Sequence, residues 1–201
     1  DFKKLKQVIK KKNIHIIEDA AQAHGAKDYS LNKKGILAGS MGILGCFSFY
    51  PGKNLGAYGD GGAITTNSKK LYIKLQKLRN LGGIKKYEHD IIGFNSRLDT
   101  IQAAILKNKL KTLKKNNSKR MKIAKFYYHN INNKLIKKIS YSKGCVYHQY
   151  VILSKKEKKI RNLLEKNKIQ YGKHYPQPLH KLNAVKNSFI KKKFPNAEFF
   201  S

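Results

Sequence analysis

Gly45-Cys46-Phe47-Ser48-Phe49-Tyr50-Pro51-Gly52-Lys53-Asn54-Leu55-Gly56-Ala57-Tyr58-Gly59-Asp60-Gly61-Gly62-Ala63-Ile64-Thr65-Thr66 is the stretch that decides the fold. Gly45–Tyr50 reads as a strand of small and aromatic residues. Pro51–Gly56 reads as a turn and Gly59–Gly62 as a second one. Ala63–Thr66 resumes as a strand, so the second turn is positioned to close a hairpin. Lys53 sits at the tip of the first turn. Most other lysines of this chain fall on helix-like faces, where they serve solubility. A lysine held in a tight turn between buried strands is a candidate imine-forming nucleophile, because desolvation frees its amine. On spacing alone, an ordinary loop lysine is the favoured reading.

Upstream, Phe2, Leu5, Val8 and Ile9 recur at helical spacing over residues 2–12. Ile14-His15-Ile16-Ile17 then reads as a short buried strand running into Glu18-Asp19. Helix, strand and polar loop in that order are the rhythm of a layered α/β domain. In such sheets ligands gather beyond the carboxyl ends of the strands, where Asp19 falls. Downstream, Ser68 is placed to cap a helix through about Leu81, with Leu71, Leu75 and Leu78 on one stripe. A loop from Gly82 to Arg97 leads to a long helix over about 98–130. Its expected apolar stripe is Ile101, Ile105, Leu110, Leu113, Ile123 and Phe126. Beyond it the pattern becomes α+β: a strand over 146–153, a helix over 156–167 and a strand over 169–174. The expected division is a larger α/β domain at 1–130 and a smaller α+β domain at 131–201.

The chain has 201 residues and a net charge of +33. The excess is nearly all lysine, with arginine only at 79, 97, 120 and 161, and it travels with asparagine and isoleucine, as in Lys114-Lys115-Asn116-Asn117. That mixture reads as bias at exposed positions. Sequence-specific nucleic-acid binders rely on arginine for bidentate contacts that lysine cannot make, so a specific nucleic-acid partner is not expected; salt-dependent association with polyanions is. Cys46 and Cys145 lie far apart without metal-ligand spacing, which fits a reduced, cytoplasmic setting and no metal site. No apolar run is long enough to span a bilayer, and no membrane partner is expected.

Asp19 can cap the turn that follows it, or hold a proton on a pyridinium nitrogen; Gln22 reaches the same side of that turn. Ser48 can pack in its strand, or offer a hydroxyl to a phosphate. Together these residues match a known pattern. Glu18-Asp19-Ala20-Ala21-Gln22-Ala23-His24-Gly25-Ala26 and the run from Phe47 to Gly62 closely resemble the DegT-type nucleotide-sugar aminotransferases. The resemblance continues through Leu78–Gly82, Tyr87-Glu88-His89, Ile92–Asp99 and Gln102-Ala103-Ala104 to His174-Tyr175-Pro176-Gln177-Pro178-Leu179-His180. It covers nearly the whole chain in order.

The resemblance implies a partial large domain of the fold-type-I pyridoxal 5′-phosphate (PLP) enzymes, with a mixed, mostly parallel sheet and flanking helices, plus a smaller α+β domain. It implies PLP as cofactor, carried covalently on Lys53, which also shuttles a proton. Asp19 then pairs with the ring nitrogen, Gln22 packs against the ring and Ser48 binds the phosphate. Asn95 reaches a neighbouring subunit's cofactor phosphate, so a homodimer is expected. Arg97, His174 and Tyr175 lie where the family contacts substrate. His24 and His148 are expected to be structural. The reaction implied is transfer of an amino group from glutamate to a nucleotide-linked keto sugar, with a 3-keto hexose as one such substrate, in polysaccharide biosynthesis. Lysine at 53 argues against the family's dehydrating branch, which has histidine there. Family members also carry an N-terminal phosphate loop and a final helical stretch, so the segment alone is expected to bind PLP poorly. The competing readings are a non-catalytic PLP-binding relative and a lysine-rich polyanion binder.

Overall fold

The computed structural model describes residues 1–10, 12–189 and 193–199. Its contacts divide into two compact units, Asp1–Ile152 and Leu153–Ser201. The long helix stops at Asn130.

The first unit opens with helix α1 (Phe2–Ile9), capped by the Asp1 carboxylate, which accepts from the Lys4 N–H. Phe2 is its buried residue. Strand β1 (Ile17–Asp19) follows, then the short antiparallel pair β2 (Lys27–Asp28) and β3 (Ile36–Leu37). Strands β4 (Leu44–Ser48) and β5 (Gly62–Thr65) complete a three-stranded mixed sheet in the order β1-β4-β5. β1 runs parallel to β4, with Asp19 opposite Cys46, and β5 runs antiparallel to β4, with Ser48 opposite Gly62. Helices α2 (Lys69–Arg79) and α3 (Thr100–Asn130) come next. Ser68 caps α2 as its sequence position suggested, its hydroxyl accepting from the Leu71 N–H at 3.3 Å. The two-residue strands β6 (Lys137–Lys138) and β7 (Ile152–Leu153) follow.

The second unit holds helices α4 (Glu157–Lys166) and α5 (Pro195–Phe199), with 3₁₀ turns at Leu179–Lys181 and Lys186–Phe189. Among the described residues no helix is long and apolar enough to cross a membrane.

Several expected elements differ. The first strand begins at Ile17 rather than Ile14, and it is not buried: Ile14 is 50% exposed and Ile17 60%. Only β4 flanks β1, so one edge of the strand carries no neighbour from the described sheet. α1 stops at Ile9, and the expected run to residue 12 includes Lys11, outside the described residues. The strand expected over 146–153 shrinks to Ile152–Leu153, and upstream backbone groups bond to side chains instead. Tyr147 takes a left-handed φ of 45°, its N–H reaches the Cys145 sulfur at 3.4 Å, and the Val146 carbonyl accepts from a side chain. Residues 169–174 form no strand; Lys168, at φ 55°, turns the chain there, and no ladder partner among the described residues receives it. The expected stripe on α3 is also displaced. Ile101, Leu110, Ile123 and Phe126 are all more than half exposed, while Leu106, Asn117 and Ala124 are buried.

Glu18 shows how the sheet is tied to the loop after β3. Its carboxylate accepts from three backbone N–H groups: Met41 at 2.6 Å and Gly42 at 2.7 Å on one oxygen, Gly39 at 2.7 Å on the other. Gly39 has φ +84°, and a Cβ there would fall 2.4 Å from the Phe47 ring, so the loop needs glycine. Removing the carboxylate strands three donors in a half-buried turn. Glu18→Ala should lower unfolding free energy by about 2–4 kcal/mol and Glu18→Gln by about half as much, since one accepting oxygen remains. Urea denaturation of the two variants checks both the size and the order.

Candidate functional site

Parallel pairing of β1 with β4 puts their carboxyl ends on the same side of the sheet. Asp19 ends β1, Ser48 ends β4, and the Lys53 turn leaves directly from β4. The chain between Phe49 and Ala57 is a closed loop: the Ala57 N–H donates to the Phe49 carbonyl at 2.8 Å. Phe49 in turn donates its own N–H to Gly61 at 2.7 Å, which anchors the loop to β5. Inside it, the Lys53 N–H donates to the Tyr50 carbonyl at 2.9 Å, forming the tight turn read from Pro51-Gly52. Gly56 is required by closeness, since a Cβ would lie 2.3 Å from the Pro51 carbonyl oxygen.

The loop is seated on one face of α3. Leu55, Ala57 and Leu106 form a buried cluster against which Phe49, Leu98 and Leu113 pack. Gln102 accepts from the Tyr58 N–H at 2.8 Å. The Lys109 ammonium donates to the Gly56 carbonyl at 2.8 Å and lies 4.4 Å from the centre of the Tyr58 ring. Lower on the same face, Asn117 bonds to Asn54 and to the His24 carbonyl.

The sequence-selected residues therefore fall into three groups. Asp19, Gln22, Ser48 and Lys53 belong to the carboxyl end of the sheet. Asp19 is exposed and accepts from the Ala21 N–H at 3.0 Å through one oxygen, so the capping role leaves the other without a hydrogen bond among the described residues. Gln22 is exposed on the turn that follows. Ser48 is half-buried, its hydroxyl accepting from the Tyr50 N–H at 3.3 Å, with its own proton still to donate. Asn95 and Arg97 form a second group in the loop before α3. Asn95 bridges to Asn80, and Arg97 donates to the Asn80 side-chain oxygen at 2.9 Å. His174 and Tyr175 belong to the second unit, joined by a cis peptide bond with ring centroids 5.4 Å apart.

The carboxyl-end group offers a carboxylate, a hydroxyl and an amine. Those are the counterparts of a ring-nitrogen cation, a phosphate oxygen and an aldehyde carbon, so the residues present fit PLP. A metal ion has no such set: among the described residues no cluster of histidine, cysteine or carboxylate side chains could hold one. Cys46 and Cys145 are both free thiols.

His24 is buried behind this group, only 3% exposed, with its ring 5.4 Å from Phe47 and 5.9 Å from Phe49. Neither ring nitrogen makes a hydrogen bond of ordinary geometry. Burial lowers its pKa below the usual histidine range, the nearby Ser48 backbone opposes this, and the positive charges of Lys53 and His148 lower it further. Asn54, Gln102, Lys109 and Asn117 are the residues that sequence reasoning missed as supports of the turn. Gln102, Lys109 and Asn117 share one face of α3 with Leu106 and Leu113, a spacing that the lysine-rich pattern masks.

The sequence profile of the DegT/DnrJ/EryC1/StrS aminotransferase family matches residues 1–201. Among curated relatives, the dTDP-3-amino-3,6-dideoxy-alpha-D-galactopyranose transaminase of Aneurinibacillus thermoaerophilus is 44% identical over 200 residues, 98% of this chain and 53% of its own length. The dTDP-3-amino-3,4,6-trideoxy-alpha-D-glucose transaminase of Streptomyces venezuelae is 36% identical over 183 residues, 90% of this chain and 47% of its own. The crystal structure of S. venezuelae DesV in complex with a ketimine intermediate superposes with a TM-score of 0.89 at 35% identity, over 100% of this chain and 54% of that one. The chain thus spans about half the length of the relatives it matches. It belongs to the DegT/DnrJ/EryC1/StrS aminotransferase family.

The lowered pKa of His24 fixes the sign of a pH effect. Above the ordinary histidine value of about 6.5 the ring is neutral in both folded and unfolded chains. Below it the unfolded chain takes up a proton that the folded chain refuses, so stability falls until the pH reaches the lowered folded value. His24→Phe removes this cost. Relative to wild type, its unfolding free energy should rise between pH 7.5 and 5.5, by at most about 1.4 kcal/mol per pH unit. Parallel urea titrations at the two pH values check it; an unchanged difference contradicts the buried neutral ring.

Proposed function

We propose that this family member is a PLP-dependent aminotransferase that moves an amino group from glutamate to a keto group of a nucleotide-linked sugar. The observation that carries the reading is the placing of Asp19, Ser48 and Lys53 at the carboxyl ends of two adjacent parallel strands. When bound, PLP supplies an electron-accepting ring that eases cleavage of a Cα–H bond.

The chain's own residues do the rest. Lys53 Nζ holds the cofactor covalently, then takes the proton from the donor's Cα and returns it. The Asp19 carboxylate would hold a proton on the ring nitrogen, Ser48 Oγ would donate to a phosphate oxygen, and Gln22 would pack against the ring. Asn95 reaches the phosphate of a second subunit, which makes the working form a homodimer, and Arg97, His174 and Tyr175 orient the sugar substrate. A keto group at C3 of the hexose is favoured by the two transaminases above, whose names place an amino group at that carbon. The setting that suits this chemistry is cytoplasmic sugar-nucleotide metabolism feeding cell-surface polysaccharide, with the smaller domain beginning at residue 131.

In the complete protein, borohydride reduction after incubation with PLP should place one stable label on the peptide bearing Lys53. Lys53→Ala should lower transamination of a dTDP- or UDP-linked 3-keto hexose by glutamate at least about 10²-fold, the scale of losing a positioned acid–base group. Peptide mapping and a glutamate-dependent amine assay check the two outcomes. A label elsewhere, or undiminished turnover in the variant, would sink the assignment.

A further inference from the structure

Asn54, the residue after Lys53, has its amide bound at both ends. Its Nδ2 donates to the Asn117 Oδ1 at 3.1 Å and to the Val146 carbonyl at 3.3 Å. Its Oδ1 lies 3.1 Å from the His148 Nδ1. A backbone carbonyl can only accept, so the group facing Val146 must be the amide NH₂ and the group facing His148 the amide oxygen. It follows that His148 Nδ1 carries a proton and donates it. Asn117 is fixed in the same way, because its Nδ2 donates to the His24 carbonyl at 2.8 Å, leaving Oδ1 to accept from Asn54. Each amide is thus oriented by a carbonyl, and neither can flip without facing like groups together.

Asn117 is only 6% exposed and lies on a helix face that also buries Leu106 and Ala124. A buried amide there gains little over a leucine of similar volume, since its hydrogen bonds mainly repay its own desolvation. What the amide adds is geometry. Asn117 and Asn54 tie α3 to the turn after β1, to the Lys53 loop and to the 146–148 segment.

We propose that Asn117 is a positioning residue for Lys53, acting through Asn54: the amide pair fixes the backbone from which the reactive amine projects. The proposal rests on the reading of Lys53 as the PLP-bearing residue. Displacement of a reacting group by about 1 Å costs on the order of 10²-fold in rate, so an effect of roughly 10-fold or more is expected when the pair is broken.

The test uses the complete protein and PLP itself. Wild type, Asn54→Ala, Asn117→Leu and the double variant are exposed to PLP for timed intervals and quenched with borohydride, and the labelled Lys53 peptide is quantified by mass spectrometry. Thermal midpoints are recorded alongside. Ala124→Gly, on the same helix and outside the pair, is the control for lost stability. Each single variant should label Lys53 roughly 10-fold more slowly. The double variant should be no slower than the slower single one, because both substitutions break one linkage. Ala124→Gly should label at the wild-type rate whatever its midpoint. Wild-type labelling in Asn117→Leu, multiplying losses in the double variant, or equal slowing in Ala124→Gly would each overturn the proposal. Labelling of Lys53 in wild type with no effect of the variants removes this inference and leaves the aminotransferase reading standing. Absence of label on Lys53 in wild type removes both.

Discussion

One face of α3 holds the Lys53 loop in place, and the candidate site depends on that contact. A loop without strand or helix of its own must satisfy its backbone groups elsewhere. Here the Tyr58 N–H goes to Gln102 and the Gly56 carbonyl to Lys109, while Leu55 and Ala57 pack on Leu106. The loop then closes on itself through Ala57 and Phe49. β4 delivers the chain to the site, but α3 decides where the turn stands. A helix of 31 residues offers a straight, cooperative support for such a turn.

The parts of this arrangement that were legible in the sequence were those with strong local chemistry. Pro51-Gly52 announces a turn, Ser68 a helix start, and Gly59–Gly62 the return into β5. The supporting face of α3 was not legible, and the reason is physical. In a helix this rich in lysine nearly every turn offers a polar residue, so the apolar period is interrupted and its phase ambiguous. Ile101, Leu110, Ile123 and Phe126 suggest one stripe, yet the buried line runs through Leu106, Asn117 and Ala124. Asn117 was hidden in Lys114-Lys115-Asn116-Asn117, a run that looks like exposed composition. The segment at 146–151 misleads for the opposite reason. Its residues suit a strand, but its backbone is bonded to Asn54 and to its own side chains instead of to a neighbour.

The lysines of this chain make a related point. Lys53 sits in a turn beside a buried imidazole, Lys109 is half-buried and spends its ammonium on a carbonyl and a ring, and Lys4 lies almost wholly in solvent. Composition treats these as equal. Only the neighbours of each ammonium separate a proposed reactive group from a structural clamp and from a solvated charge. The same holds for Asn80, which gathers Asn95 and Arg97 in the loop before α3 while looking, in sequence, like one more asparagine among many.

The overall charge of +33 takes on a different meaning once the site is placed. Both the proposed cofactor and the proposed sugar substrate carry phosphate, so a positive surface attracts them at long range without selecting them. That attraction is screened beyond about 8–10 Å at physiological salt. Selection must come from groups at contact distance, and there the balance is local. Lys53 and His148 already oppose a charge on His24, which burial also disfavours. A neutral His24 adds no further positive charge beside the Lys53 turn. The surface lysines can therefore change the encounter rate, while the turn, its amide pair and the carboxyl ends of β1 and β4 decide what is held.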